Sequence, residues 1–147
     1  LIDHVRAIRP LFGNATAKIV VFTGGEPGLQ VDEDLVDRFK ATGWRTHIET
    51  NGTVRLPANL DWVTLSPKPP SKPLGQKYDE LKCIWPDVDP RDYRGLFPQA
   101  DNIFIQPRDD NRGIDMRIER QGECVKFVQE NPWVRLSIQT HKILDLP

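Results

Sequence analysis

The sequence predicts an α/β fold built on a mostly parallel sheet, open or closed into part of a barrel. Three observations carry this. Stretches with helical spacing of apolar residues alternate with short β-branched runs over much of the chain, a pattern that demands crossover connections. Lys18 to Phe22 is a continuous β-branched and aromatic run, as in the strands of a covered parallel sheet. Clusters of polar and charged residues follow the runs rather than precede them, and in parallel folds the ligand site lies at the carboxyl ends of the strands.

Taken in order, Ile2, Val5, Ile8 and Phe12 recur at helical spacing, so residues 2–12 read as a helix ended by Gly13 and Asn14. Lys18 to Phe22 is a buried strand. Asp32 stands as an N-cap before a helix with Leu35, Val36 and Phe39 on one face and Gly43 where a C-terminal cap belongs. Thr46 to Glu49 and Trp62 to Leu65 are short strands. Ser66 to Tyr78 holds four prolines and three lysines and reads as a long loop within one domain. Glu80 to Trp85 and Asn102 to Ile105 are further strands. Residues 115–130 form a helix with Cys124, Val125 and Val128 inward, Gly122 as a weak point and Pro132 as its stop. Val134 to Gln139 is the last strand. No internal repeat is visible.

Bulk properties narrow the function classes. A length of 147 residues argues for one domain, 1–147, large enough to bury a core without staples. The net charge of -1 gives no electrostatic reason to expect nucleic acid or a membrane surface as partner. No apolar run is long enough to span a bilayer, and no secretory pattern opens the chain, which begins at Leu1 inside an amphipathic stretch. The two cysteines, Cys83 and Cys124, fit no zinc or cluster spacing and read as reduced core thiols of a cytoplasmic protein. The scattered His4, His47 and His141 suggest no histidine metal site, and no P-loop or GxGxxG is present.

The strand ends carry the chemistry. Lys18–Phe22 is followed by Thr23-Gly24-Gly25-Glu26-Pro27, Thr46–Glu49 by Thr50-Asn51-Gly52-Thr53, and Trp62–Leu65 by Ser66-Pro67-Lys68. Asn102–Ile105 is followed by Gln106-Pro107-Arg108-Asp109, and the last strand by Gln139-Thr140-His141-Lys142. Each cluster also has a plainer reading as a turn or loop start. If the strands are parallel, all five lie on one rim. Adjacent glycines let backbone polar groups approach a ligand closely. Glu26 can hold an ammonium group, while Ser66 and Lys68 can hold a carboxylate or ribose hydroxyls. An amino acid joined to a nucleoside uses all of these groups.

The segment Thr23-Gly24-Gly25-Glu26-Pro27 resembles the GGEP segment of radical S-adenosylmethionine (SAM) enzymes. With Glu49-Thr50-Asn51-Gly52-Thr53, Ser66-Pro67-Lys68, Asp79-Glu80-Leu81-Lys82, Gln106-Pro107 and the run Arg135 to Lys142, the chain from about Lys18 onward is similar to the 7-carboxy-7-deazaguanine synthase (QueE) family. The resemblance implies a partial parallel (β/α) barrel of radical SAM type, with the first barrel strand and the cluster loop lying upstream of Leu1. It implies SAM contacts at Gly25, Ser66, Pro67, Lys68, Gln106, Pro107, Arg108 and Asp109, with Glu26 and Asn51 on the same rim. It implies substrate contacts at Thr23, His141 and Pro147.

The substrate implied is 6-carboxy-5,6,7,8-tetrahydropterin, converted to 7-carboxy-7-deazaguanine with loss of ammonia by a 5′-deoxyadenosyl radical. The family uses a [4Fe-4S] cluster, magnesium and an external electron donor, and admits a homodimer. The cluster requires three clustered cysteines, and this sequence has no such triad. No catalytic residue and no metal ligand is therefore assigned, and the chain alone is expected to be inactive. The alternative is a cluster-free, non-catalytic SAM- or pterin-binding remnant. A third reading, an activase acting on a partner protein, is disfavoured by Ser66-Pro67-Lys68 together with Gln139-Thr140-His141-Lys142. Gly28 departs from the family, which usually has a larger apolar residue there.

Overall fold

A computed structural model describes residues 18–97, 102–109 and 114–140. The expected helix over 2–12, and the positions His141 and Pro147, lie outside these residues. Six strands form one sheet: β1 (Ile19–Phe22), β2 (Arg45–Thr50), β3 (Trp62–Leu65), β4 (Glu80–Trp85), β5 (Ile103–Pro107) and β6 (Arg135–Leu136). They are hydrogen-bonded in chain order, and every neighbouring pair is parallel. The sheet is open, as the sequence allowed.

Two α-helices are present among the described residues, α1 (Glu33–Ala41) between β1 and β2 and α2 (Ile114–Glu130) between β5 and β6. Asp32 caps α1 as expected, accepting from the amide of Leu35 at 2.8 Å. Thr42 closes its C-terminus, and Gly43 follows at φ 80°, a conformation that favours glycine. Glu33 and Asp34 in the first turn and Arg38 and Lys40 in the last both suit the helix dipole.

The expectation of helix alternating with strand holds only in part. The crossovers over residues 51–61 and 66–79 contain no helix, and a 3-10 segment, Pro90–Leu96, lies between β4 and β5. Side-chain hydrogen bonds hold the first two in place. Asp61 accepts from both the amide and the hydroxyl of Thr46, at 2.8 and 2.9 Å, and pairs with Lys40. Asp79 accepts from the amide of Val63 at 3.0 Å. These carboxylates fasten the amino-terminal ends of β2 and β3, which leaves the opposite rim for other work.

Alternation within the strands divides the sheet into two faces. Ile48, Val63, Leu65, Leu81, Cys83, Ile103 and Ile105 are buried and form two apolar clusters. One takes Val36 and Phe39 from α1, and the other takes Cys124 and Phe127 from α2. Val125, expected to point inward, is 42% exposed. The inward stripe of α2 runs through Cys124, Phe127 and Val128, and a residue one position on from Cys124 is turned about 100° away.

β6 is also shorter than expected. The amide of Val134 turns back to Asn131 O, so it never joins the sheet. At the other end Ser137 N still donates to Ile105 O, but β5 finishes at Pro107, which has no N–H with which to extend the ladder.

Gly52 sits where the packing leaves no room for a side chain. Its φ is 81°, and a Cβ there would lie 2.7 Å from both Leu65 Cδ1 and Pro73 Cβ and 2.9 Å from the Tyr78 hydroxyl. The loop 66–78 can close over the end of β2 only because this position carries no side chain. Gly52→Ala is therefore expected to cost about 1–3 kcal/mol of stability, read as a lower urea midpoint at unchanged slope. A midpoint equal to the wild type would show that the loop is not packed in this way.

Candidate functional site

Parallel pairing brings the ends of β1, β2, β3 and β5 to a single rim, and with them the clusters beginning at Thr23, Thr50, Ser66 and Gln106. Thr23, Gly24 and Gly25 are exposed there. Gly24 has φ 123°, and a Cβ on Gly25 would meet nothing within 4 Å. The backbone after β1 is thus open to a ligand, while Lys68 stands exposed beyond β3.

Glu26 does something the sequence did not reveal. Its carboxylate accepts from the hydroxyl of Thr50 at 2.7 Å, from the amide of Asn51 at 2.8 Å and from the amide of Gly28 at 3.0 Å. It therefore fastens the end of β1 to the end of β2 and caps the short 3-10 turn Pro27–Leu29. Asn51 is engaged as well, its Oδ1 accepting from the amide and hydroxyl of Thr53. Gly28 is explained by the same junction. A Cβ there would fall 2.4 Å from Val54 Cγ2 and 2.8 Å from Leu56 Cδ2, so neighbouring side chains already fill the space of a larger residue.

The other expected residues divide by exposure. Ser66 and Pro67 are buried, with Ser66 N donating to Thr50 O at 2.7 Å. Gln106 accepts from the Ser137 hydroxyl at 3.2 Å. Arg108 pairs with Asp87, and Asp109 lies 3.8 Å from Arg117. A small cavity of about 30 Å³ lies between Pro107–Asp109 and Arg117, Gln121, Ile138 and Gln139. A larger one, about 510 Å³, opens beside Thr23, Gly25 and Glu26 and runs between β1 and α1. Its walls are mostly apolar, including Val20, Phe22, Val31, Leu35 and Phe39.

Below the rim, the face of the sheet opposite the apolar clusters is mixed, with His47, Glu49, Thr64, Glu80 and Lys82 set among Val21, Trp62, Ile84 and Phe104. His47 stacks on Trp62 with ring centroids 6.1 Å apart, and its buried Nε2 has no partner among the described residues. Burial is the main cause that pushes the imidazole below its ordinary pKa, with Arg45 adding to it. Lys82 is ion-paired with Glu49 across β3. Burial pushes the Glu80 carboxyl above its ordinary range, and Glu49 adds to this, against hydrogen bonds from Trp62 and Thr64 and the charge of Lys82. None of these residues was singled out from the sequence as part of a site. The readable signal was period-two alternation of polar with buried positions in His47-Ile48-Glu49-Thr50 and Glu80-Leu81-Lys82-Cys83.

Two expectations follow from this geometry. Glu26→Gln keeps the size but supplies one acceptor oxygen for three donors, and is expected to cost about 1–3 kcal/mol, measured by urea denaturation. An unchanged midpoint would contradict the clamp. For Glu80, the native state holds its proton to higher pH than the unfolded chain does. Stability therefore falls as pH rises from the ordinary glutamate value through the raised one, and the cost persists above it. Glu80→Gln retains an acceptor for Trp62 and Thr64, so it is expected to stabilise the protein near neutral pH and to give no gain below the carboxylate range. Equal effects at both pH values in thermal melts would contradict the shift.

No family model matches the chain. Curated relatives do. A 7-carboxy-7-deazaguanine synthase of Nitratidesulfovibrio vulgaris is 43% identical over 137 residues, covering 92% of this chain and 62% of the relative. The enzyme of that name from Bordetella pertussis is 37% identical over 96% of this chain and 66% of its own length. That of Bacteroides thetaiotaomicron is 40% identical over 88% and 66%. The crystal structure of QueE from Escherichia coli superposes with a TM-score of 0.61 at 28% identity, covering 93% of this chain and 62% of that one. The chain thus spans just under two thirds of the length of these relatives. The agreement of sequence and fold places the chain in the 7-carboxy-7-deazaguanine synthase family.

Proposed function

We propose that this chain supplies the SAM-binding rim and part of the substrate site of a lyase converting 6-carboxy-5,6,7,8-tetrahydropterin to 7-carboxy-7-deazaguanine with loss of ammonia. The observation that carries the reading is the gathering of Thr23–Glu26, Asn51, Ser66–Lys68 and Gln106–Asp109 on one rim of an all-parallel sheet. These are among the segments through which the sequence resembles the family.

The residues fit SAM. The open backbone at Gly24 and Gly25 can approach an amino-acid moiety closely, and the exposed Lys68 ammonium can meet its carboxylate. Ser66, Pro67, Gln106, Pro107, Arg108 and Asp109 form the remainder of the SAM wall in this reading. Glu26 and Asn51 contribute by holding the ends of β1 and β2 together. Thr23 is assigned to the substrate in this reading, as are His141 and Pro147, which lie outside the described residues. Bound there, SAM would supply the 5′-deoxyadenosyl group for hydrogen abstraction, and the chain's task would be to orient both molecules and exclude water.

The [4Fe-4S] cluster does not fit the residues present. The sequence holds two cysteines, and both lie in the apolar core. Burial pushes both thiols up, that of Cys124 to about 12. Among the described residues no group of three or more His, Cys, Asp or Glu side chains is placed to hold a metal ion. The same core cysteines favour a second reading, a binding module that holds SAM or a pterin without catalysis.

Calorimetric titration of SAM into the chain tests the proposal. Binding is expected, and Gly25→Val, which places a side chain on the open rim, is expected to weaken it by roughly tenfold or more without lowering the melting temperature. No SAM binding by the wild type, or equal affinity in the variant, would contradict the assignment.

A further inference from the structure

Each residue of the segment Asp79-Glu80-Leu81-Lys82 has a place in the sheet, and the charge of Lys82 acts on two carboxylates, Glu80 and Glu49. Asp79 fastens β3, Leu81 fills the core, and Glu80 takes hydrogen bonds from Trp62 and Thr64. Lys82 reaches across β3 to Glu49 on β2. Their side chains are 20% and 33% exposed, and they lie on the sheet face opposite the apolar clusters that α1 and α2 cover.

A partly buried ion pair adds little stability and often less than an apolar pair of the same size. Core packing therefore gives no reason for a lysine and a glutamate here. Position gives one. Glu49 immediately precedes Thr50 and Asn51, which Glu26 locks to the end of β1. The pair thus sits directly beneath the rim on a fixed piece of backbone. Lys82 engages Glu49 Oε1, and Oε2 has no hydrogen-bond partner among the described residues. Among the described residues this leaves one carboxylate oxygen unengaged beside an ammonium group, which matches a ligand edge carrying an N–H next to a carbonyl.

We infer that Lys82 is a positioning residue for the substrate: it holds the Glu49 carboxylate turned toward the rim, where it receives the N–H groups of a pterin ring. The inference rests on the pterin reading of the site. It makes the Lys82–Glu49 pair directional, with the acceptor on β2 and the donor on β4. A purely structural bridge has no such polarity.

Fluorescence titration with 6-carboxypterin, alongside calorimetric titration with SAM, tests this on the full chain. Lys82→Met is expected to weaken pterin binding by roughly tenfold, one charge-assisted contact, with SAM affinity unchanged. Lys82→Arg should restore most of it. The swapped pair Glu49→Lys with Lys82→Glu should keep the wild-type melting temperature yet fail to recover pterin binding. If Lys82→Met does not fold, Glu49→Gln replaces it, with the same loss expected. Wild-type pterin affinity in Lys82→Met, or recovery in the swapped pair, would overturn the role of Lys82 while leaving the pterin reading standing. Absence of 6-carboxypterin binding by the wild type would overturn both.

Discussion

Six strands paired in parallel require every connection to carry the chain back from one end of the sheet to the other. All carboxyl ends then share a rim, whatever the connections are made of. In this chain that constraint does more to build the site than any single residue. Thr23, Asn51, Ser66 and Gln106 are far apart in sequence, and they come to one rim because β1, β2, β3 and β5 run the same way. The two ends of the sheet are then treated differently. At the amino-terminal end Asp61 and Asp79 take up strand amides that would otherwise lack partners. At the carboxyl end the backbone after β1 is left open.

That open rim has its own support. Three donors converge on Glu26, and two of them belong to the end of β2. Thr50 is the hinge of this arrangement, because its hydroxyl donates to Glu26 and also accepts from the amide of Gly52 at 3.0 Å. Gly52 in turn accepts the amide of Leu74 at 2.8 Å, which draws the long loop after β3 over the end of β2. Gln76 continues the strap, donating to Val54 O and accepting from the amide of Leu56. The glycines of the open turn can stay unencumbered because the neighbouring residues carry the packing.

Much of the fold was legible in the sequence. The β-branched run after Lys18 marked β1, although Ile19 and Val21 are 43% and 52% exposed rather than buried as expected, and Asp32 with Gly43 framed α1 to within a residue. What escaped had identifiable causes. Pro27–Leu29 and Pro90–Leu96 are short 3-10 segments that begin on proline, too short to show a helical period. The helix-free crossovers are held by side chains whose partners lie 15 or more residues away, as Asp61 with Thr46 does. Local pattern cannot reveal such pairings. The rim clusters were legible because they follow strands, but the division of labour within them was not. Glu26 reads alone as a free carboxylate for an ammonium ion, and only the fold shows Thr50 and Asn51 arriving to occupy it. The same holds for Glu49 and Lys82, whose meeting depends on the register of three strands.

The central claim is that parallel pairing assembles one ligand rim from four strand ends. Amide hydrogen exchange with and without SAM, resolved by peptide, tests it most directly. The account predicts that SAM slows exchange together in the segments around residues 23–26, 50–52, 66–68 and 106–109, with no change at the amino-terminal ends of the strands. Protection confined to a single one of these segments, or appearing instead around Asp61 and Asp79, would contradict it.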